Sequence, residues 1–156
     1  MKIYLIALGS RMPEWVHSAC SEYEARFPRH CQLQFIEIPI KKRTKSADLS
    51  RIREQESSAL LSSAPKNCRH IALERSGIQY STEQLADQMR RWMSGGTDVA
   101  LLIGGPDGLS SSCLEKVHEK WALSPLTFPH PLVRVIVTEQ LYRAWSIINH
   151  LPYHRG

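Results

Sequence analysis

Apolar positions along the chain recur at two spacings, and the switches between them mark out the elements. Residues 2–8 form a short apolar run suited to a strand. Residues 13–27 carry Trp15, Ala19, Tyr23 and Phe27 at near-helical spacing, and residues 32–38 return to strand alternation. A polar helix is expected from about Asp48 to Leu61. A strand follows at residues 70–73, a turn at Gly77, and a helix from Thr82 through Trp92, stopped by Gly95 and Gly96. Residues 99–103, "VALLI", are apolar throughout, as expected of a strand buried on both faces. A helix is read over residues 113–120. Residues 132–148 then place Val133, Ile136, Val137, Leu141, Ala144, Trp145 and Ile148 on one helical stripe, although "VRVIV" alone would pass for a strand. This alternation predicts an α/β sheet, and nothing in residues 1–156 demands a second domain.

The octet "LLIGGPDG", Leu101 to Gly108, ends a strand in a glycine-rich turn, and Ser110 can cap the helix that follows. Gly104, Gly105 and Gly108 let a ligand approach the main chain, so a side chain at Gly104 or Gly105 is expected to invade that space. The spacing is G-G-x-x-G, not the dinucleotide fingerprint, and no Gly-Lys-Ser/Thr follows to make a P-loop. A tight turn without any ligand explains the octet equally well.

Composition narrows the class. The formal charge of +5 favours a polyanionic partner, and Lys41, Lys42, Arg43 and Lys45 crowd the stretch after Pro39 as candidate RNA contacts. A solvated basic face is the plainer alternative. Cys20, Cys31, Cys68 and Cys113 are scattered, with no C-x-x-C and no ligand-like histidine spacing, so reduced thiols and no metal are expected. No run has the length of a membrane span, and the opening apolar stretch, broken at Gly9 and Arg11, fits a strand better than a signal peptide.

Three segments stand out as irregular ends of apolar elements: residues 73–77, the glycine turn, and residues 123–131. Neighbouring strand ends in a parallel sheet can line one crevice. In "LSPLTFPHP", Pro125 and Pro129 bias the residues before them toward extended backbone, leaving amides and carbonyls open to a planar base. The last stretch carries Glu139, Tyr142, Arg143, His150, Tyr153, His154 and Arg155. Glu139 and Arg143 fit a helix-surface pair as well as a site. Tyr153, His154 and Arg155 lie beyond the final apolar stripe, so little core contribution is expected of them.

Together, "LLIGGPDG", "LSPLTFPHPLVRV" and "EQLYRAWSIINHLPYHRG" resemble the RlmH family of SPOUT-superfamily methyltransferases, and the likeness runs from "KIYLIALG" to the terminal "PYHRG". The resemblance implies a single SPOUT domain with a mainly parallel sheet flanked by helices and a C-terminal trefoil knot. It also implies a cytoplasmic homodimer that binds S-adenosylmethionine and methylates N3 of a pseudouridine in bacterial large-subunit (23S) ribosomal RNA, free or in the assembled ribosome.

By the same resemblance, cofactor contacts fall on Leu73, Gly104, Gly105, Leu123, Ser124, Pro125, Leu126, Thr127 and Phe128, the three segments already singled out. Arg143, His154 and Arg155 become the candidates beside the acceptor base, with Glu139 and Tyr153 orienting them. For an imide about two pKa units above ambient pH, deprotonation costs about 3 kcal/mol, which a positioned cation or base can offset. A non-catalytic basic factor in ribosome assembly is the rival reading; it explains the charge but not the joint occurrence of these motifs.

Overall fold

The computed structural model describes residues 1–155. Ten elements follow one another: β1 (Lys2–Leu8), α1 (Glu14–Glu24), β2 (Gln32–Ile38), α2 (Leu49–Ser63), β3 (Arg69–Gln79), α3 (Thr82–Ser94), β4 (Val99–Ile103), α4 (Ser111–Lys116), β5 (Glu119–Ala122) and α5 (His130–Ile148). All five strands are parallel neighbours in the order β2-β1-β4-β3-β5. The apolar run at β4 sits at the centre of that order, with all five residues buried. A parallel sheet covered on both faces needs such a strand.

Side chains alternate across β1 and feed two cores. Ile3, Leu5 and Ala7 pack with residues of α3 and α5, including Met89, Val137 and Leu141. Tyr4, Ile6 and Leu8 pack on the other face with Leu60 of α2 and Cys113 of α4. Helices α1, α3 and α5 therefore share one face and α2 and α4 the other. Local signals set the helix starts: Asp48 accepts the Arg51 amide, Ser110 the Cys113 amide, and Ser81 forms a capping box with Gln84.

Two expectations from the chain pattern are corrected here. The helix read over residues 113–120 ends at Lys116, and Glu119–Ala122 is instead the edge strand β5. Its four residues are too few to show a period of their own. Gly77 is not a turn but an interior residue of β3. Strand β3 pairs with β5 through Leu73↔Trp121 and again through Ile78↔Trp121, so Glu74 to Gly77 bulge out between the two registers.

Gly77 is required there by a close approach. A Cβ on it would lie 2.6 Å from the Lys120 carbonyl carbon and oxygen and 2.7 Å from the Trp121 nitrogen, all backbone atoms. Gly77→Ala is expected to cost about 2 kcal/mol by prising β5 from β3. Thermal unfolding should register this as a fall of roughly 4–8 °C in Tm.

Candidate functional site

The chain leaves β3 and β4 toward opposite faces of the sheet, and a crevice opens at their carboxyl ends, as expected where crossovers diverge. The bulge after Leu73, the glycine turn and residues 123–128 meet there around a cavity of about 410 Å³. Its apolar walls are Leu73, Ile103, Trp121, Leu123, Phe128 and Val133, and Glu74, Arg75, Ser124, Thr127 and His130 also line it. Of the nine residues singled out as cofactor contacts, eight line it. Pro125 does not, and it is exposed.

The glycine turn is closed internally: the Gly108 amide donates to the Gly105 carbonyl at 3.0 Å, and Gly108 has φ +73°. A Cβ at Gly104 would meet the Gly108 carbonyl carbon at 3.0 Å and Leu109 at 3.2 Å, whereas one at Gly105 would meet Leu8 at 3.4 Å. A Cβ at Gly104 thus meets Gly108 and Leu109, which themselves line the crevice, so a side chain there strains the turn. Gly104 is small because the turn folds back on it.

The C-terminal residues form a second cluster. Arg143 donates through Nε and Nη2 to Glu139 Oε1, which also accepts the Tyr153 hydroxyl at 2.9 Å. Glu139 Oε2 accepts from Gln140. The Arg143 guanidinium lies 4.8 Å from the centre of the Tyr153 ring. His154 bridges onward, with Nδ1 3.5 Å from Arg143 and Nε2 3.4 Å from a Glu83 oxygen. Arg155 is exposed.

Tyr153 also packs edge-on against Tyr142 and Tyr23 and donates into this network, so the tail does contribute to packing, contrary to the sequence expectation. Burial, then its bonds to Tyr23 and Glu139, push the Tyr153 phenol well above its ordinary range. It therefore stays a proton donor toward Glu139.

In the basic loop, Lys41, Lys42 and Lys45 are exposed, but Arg43 is not available as a surface cation. Its guanidinium pairs with Glu56 at 2.9 Å and with Asp107 at 2.8 Å. Glu56 is 2% exposed on α2, so Arg43 neutralises a buried carboxylate.

Residues 1–154 match a family model described as "Predicted SPOUT methyltransferase". A relative from Thioalkalivibrio sulfidiphilus named ribosomal RNA large subunit methyltransferase H is 52% identical over 155 residues, covering 99% of each chain. A relative of the same name from Hahella chejuensis is also 52% identical with the same coverage. The chain belongs to the SPOUT methyltransferase family, in its RlmH group.

Two solved structures share the fold at low identity. A probable methylase family protein from Haemophilus influenzae superposes with a TM-score of 0.59 at 12% identity, covering 99% of this chain and 70% of that one. A putative methylase family protein from Neisseria gonorrhoeae gives 0.50 at 13%, covering 99% and 88%. Among the described residues no cluster of histidine, cysteine, aspartate or glutamate could hold a metal ion, and no helix is long and apolar enough to cross a membrane.

In this SPOUT chain the sequence reading missed Arg134 and His130. Arg134 lies on the buried stripe of α5 with Val137, Thr138, Leu141 and Trp145, and its side chain is 3% exposed. It pairs with Glu37 at 2.5 Å, donates to the carbonyls of Leu8 (3.0 Å) and Gly9, and donates Nε–H to His130 Nε2 at 3.2 Å. A cation in step with an apolar stripe was the available signal. His130 lines the crevice. Accepting at Nε2 keeps its proton on Nδ1.

Burial and then the Arg134 charge hold the His130 pKa below its ordinary 6.5. The folded chain binds fewer protons there than the unfolded chain, so this stabilising contribution is present above pH 6.5 and is lost as pH falls below it. Urea titrations should show His130→Asn with a shallower loss than the parent between pH 6.5 and the carboxylate range near 4.5. The remaining slope comes from His70, lowered by burial and then by His118.

The tail gives a separate expectation. Tyr153→Ala should cost about 2 kcal/mol in equilibrium unfolding through lost ring packing, and Tyr153→Phe about 1 kcal/mol through lost hydrogen bonds.

Proposed function

We propose that this chain is an S-adenosylmethionine-dependent methyltransferase that modifies N3 of a pseudouridine in large-subunit (23S) ribosomal RNA. It acts as a cytoplasmic homodimer, with residues 1–156 as one domain whose C-terminal part carries the trefoil knot expected of the family. The observation that carries this reading is the crevice at the carboxyl ends of β3, β4 and β5, walled by three segments far apart in sequence. The relatives' printed names supply the substrate class.

The crevice fits the cofactor by size and donor set. Its volume lies within the roughly 300–1,000 Å³ of small-molecule sites. Apolar walls suit an adenine ring, and polar groups along the lining, those of Ser124 and Thr127 among them, suit its polar edges. Leu73, Gly104, Gly105, Leu123, Ser124, Leu126, Thr127 and Phe128 would hold it, with Pro125 stiffening the loop from outside. The bound group supplies an electrophilic methyl on a sulfonium.

The chain's own task is to align the base and take up its N3 proton. Glu139 is an orienting group, because its Oε1 already accepts from Arg143 and Tyr153 and its Oε2 from Gln140. That leaves His154 Nδ1, held only by the 3.5 Å contact from Arg143 while Nε2 faces Glu83, to receive the proton, with Arg143 and Arg155 balancing the charge left on the base. Lys41, Lys42 and Lys45 attract RNA phosphates.

Distance along α5 favours a site shared between two copies. At 1.5 Å per residue, Glu139 lies roughly 14 Å and Arg143 roughly 20 Å along the helix from His130 at the crevice. A methyl acceptor must come within about 3.5 Å of the donor. Our reading is that the tail of one copy serves the crevice of the other.

The function itself is tested by incubating the protein with methyl-labelled S-adenosylmethionine and unmodified large-subunit RNA or ribosomes, then mapping the label. Label at N3 of one pseudouridine supports it; no transfer to RNA or ribosomes overturns it and favours an assembly factor. The shared site is tested by mixing Arg155→Ala with Thr127→Trp, which fills the crevice from an exposed position. Each homodimer should be inactive, while random mixing should restore about one quarter of parental activity. Mixtures no better than the homodimers would exclude a tail acting across the dimer.

A further inference from the structure

Arg43 sits in the most basic stretch of the chain yet spends its charge inward. Its Nε donates to Asp107 at 2.8 Å, Nη1 to the Lys41 carbonyl at 2.9 Å and to Glu56 at 3.1 Å, and Nη2 to Glu56 at 2.9 Å. Four of its five N–H donors are thus engaged within the chain. A phosphate would find little left to bind.

The partners belong to two different parts of the proposed site. Glu56 also accepts the Lys41 amide at 2.9 Å, so the loop bearing Lys41, Lys42 and Lys45 is fixed to α2 at its root. Asp107 lies inside the glycine turn, between Gly105 and Gly108. The same helix holds the far end of that turn, where Ser57 accepts the Ser110 amide at 2.9 Å. Arg43 is the member of this network that touches both the basic loop and the turn.

We infer that Arg43, through Asp107, is a positioning residue that couples RNA engagement by the basic loop to cofactor engagement at the glycine turn, an inference that rests on the proposed function. A phosphate held by Lys41, Lys42 or Lys45 displaces the loop, and the bonds through the Arg43 guanidinium carry that displacement to the Asp107 carboxylate and the turn. Both ligands thus bias one bonded element. Linkage then requires each ligand to tighten the other by the same factor. Arg43 serves better than lysine because one planar group holds two carboxylates at fixed angles.

The test measures cosedimentation of the full chain with large ribosomal subunits lacking the modification, with and without saturating S-adenosylhomocysteine. Asp107→Ala, which removes the acceptor of the Arg43 Nε–H, is the decisive variant. It leaves the Arg43–Glu56 pair intact, so no buried carboxylate is stranded, and its Tm should stay close to the parent. The parent is expected to bind subunits roughly tenfold more tightly with the probe present. In Asp107→Ala that enhancement should fall below about twofold, while its affinity for each ligand alone stays within about threefold of the parent. Adding Arg43→Lys, which keeps a cation beside Glu56, should reduce the enhancement no further.

An undiminished enhancement in Asp107→Ala, or none in the parent, overturns the inference. Failure of S-adenosylhomocysteine to bind the parent at all is a distinct result, for it removes the cofactor reading of the crevice beneath it.

Discussion

A guanidinium buried in a helix-sheet interface must find an acceptor for each of its edges, and Arg134 does so by reaching across two strands. Removing such a charge from water costs several kcal/mol unless its hydrogen bonds are replaced. Here the Leu8 and Gly9 carbonyls, which end β1, and the Glu37 carboxylate near the end of β2 replace them. Helix α5 is thereby pinned to the carboxyl edge of the sheet at one point. Four residues earlier on the same helix stands His130, and one residue earlier Val133, both facing the crevice. The wall of the candidate site is positioned by the same contact that anchors the helix.

The sheet imposes the complementary constraint. Five parallel strands need crossovers, and crossovers leaving β3 and β4 for opposite faces open the crevice between them. The bulge in β3 widens it, since Trp121 pairs with both Leu73 and Ile78 and the four residues between are pushed out. Apolar walls, with Glu74, Arg75 and His130 among the lining residues, are what this crevice offers a ligand.

Carboxylates organise both polar regions around that crevice. Glu56 gathers the basic loop, and Glu139 gathers the tail, each by accepting several donors at once. The consequence is that the most conspicuous cations, Arg43 and Arg143, are oriented before any RNA arrives. Each arginine gains a fixed geometry in exchange for part of its free charge, and its pKa is raised chiefly by hydrogen bonding to that carboxylate. Lys41, Lys42, Lys45 and Arg155 by contrast are exposed.

The sequence by itself determined the parallel α/β class, because an unbroken apolar run such as "VALLI" is stable only between two covered faces. It also determined the helix starts at Asp48, Ser81 and Ser110, since a cap is a contact within three residues. The three crevice segments were legible as irregular strand ends, and the family motifs covered the whole chain. Local pattern could not reveal β5 or the place of Gly77, because a four-residue edge strand has no period of its own and its register depends on β3. Nor could it say that Arg43 faces inward, that Tyr153 packs on Tyr23 and Tyr142, or that Arg134 bonds to β1. Those partners lie from 11 to 130 residues away. Only the closed sheet brings them within hydrogen-bond range, and which side chain meets which is a property of that closure.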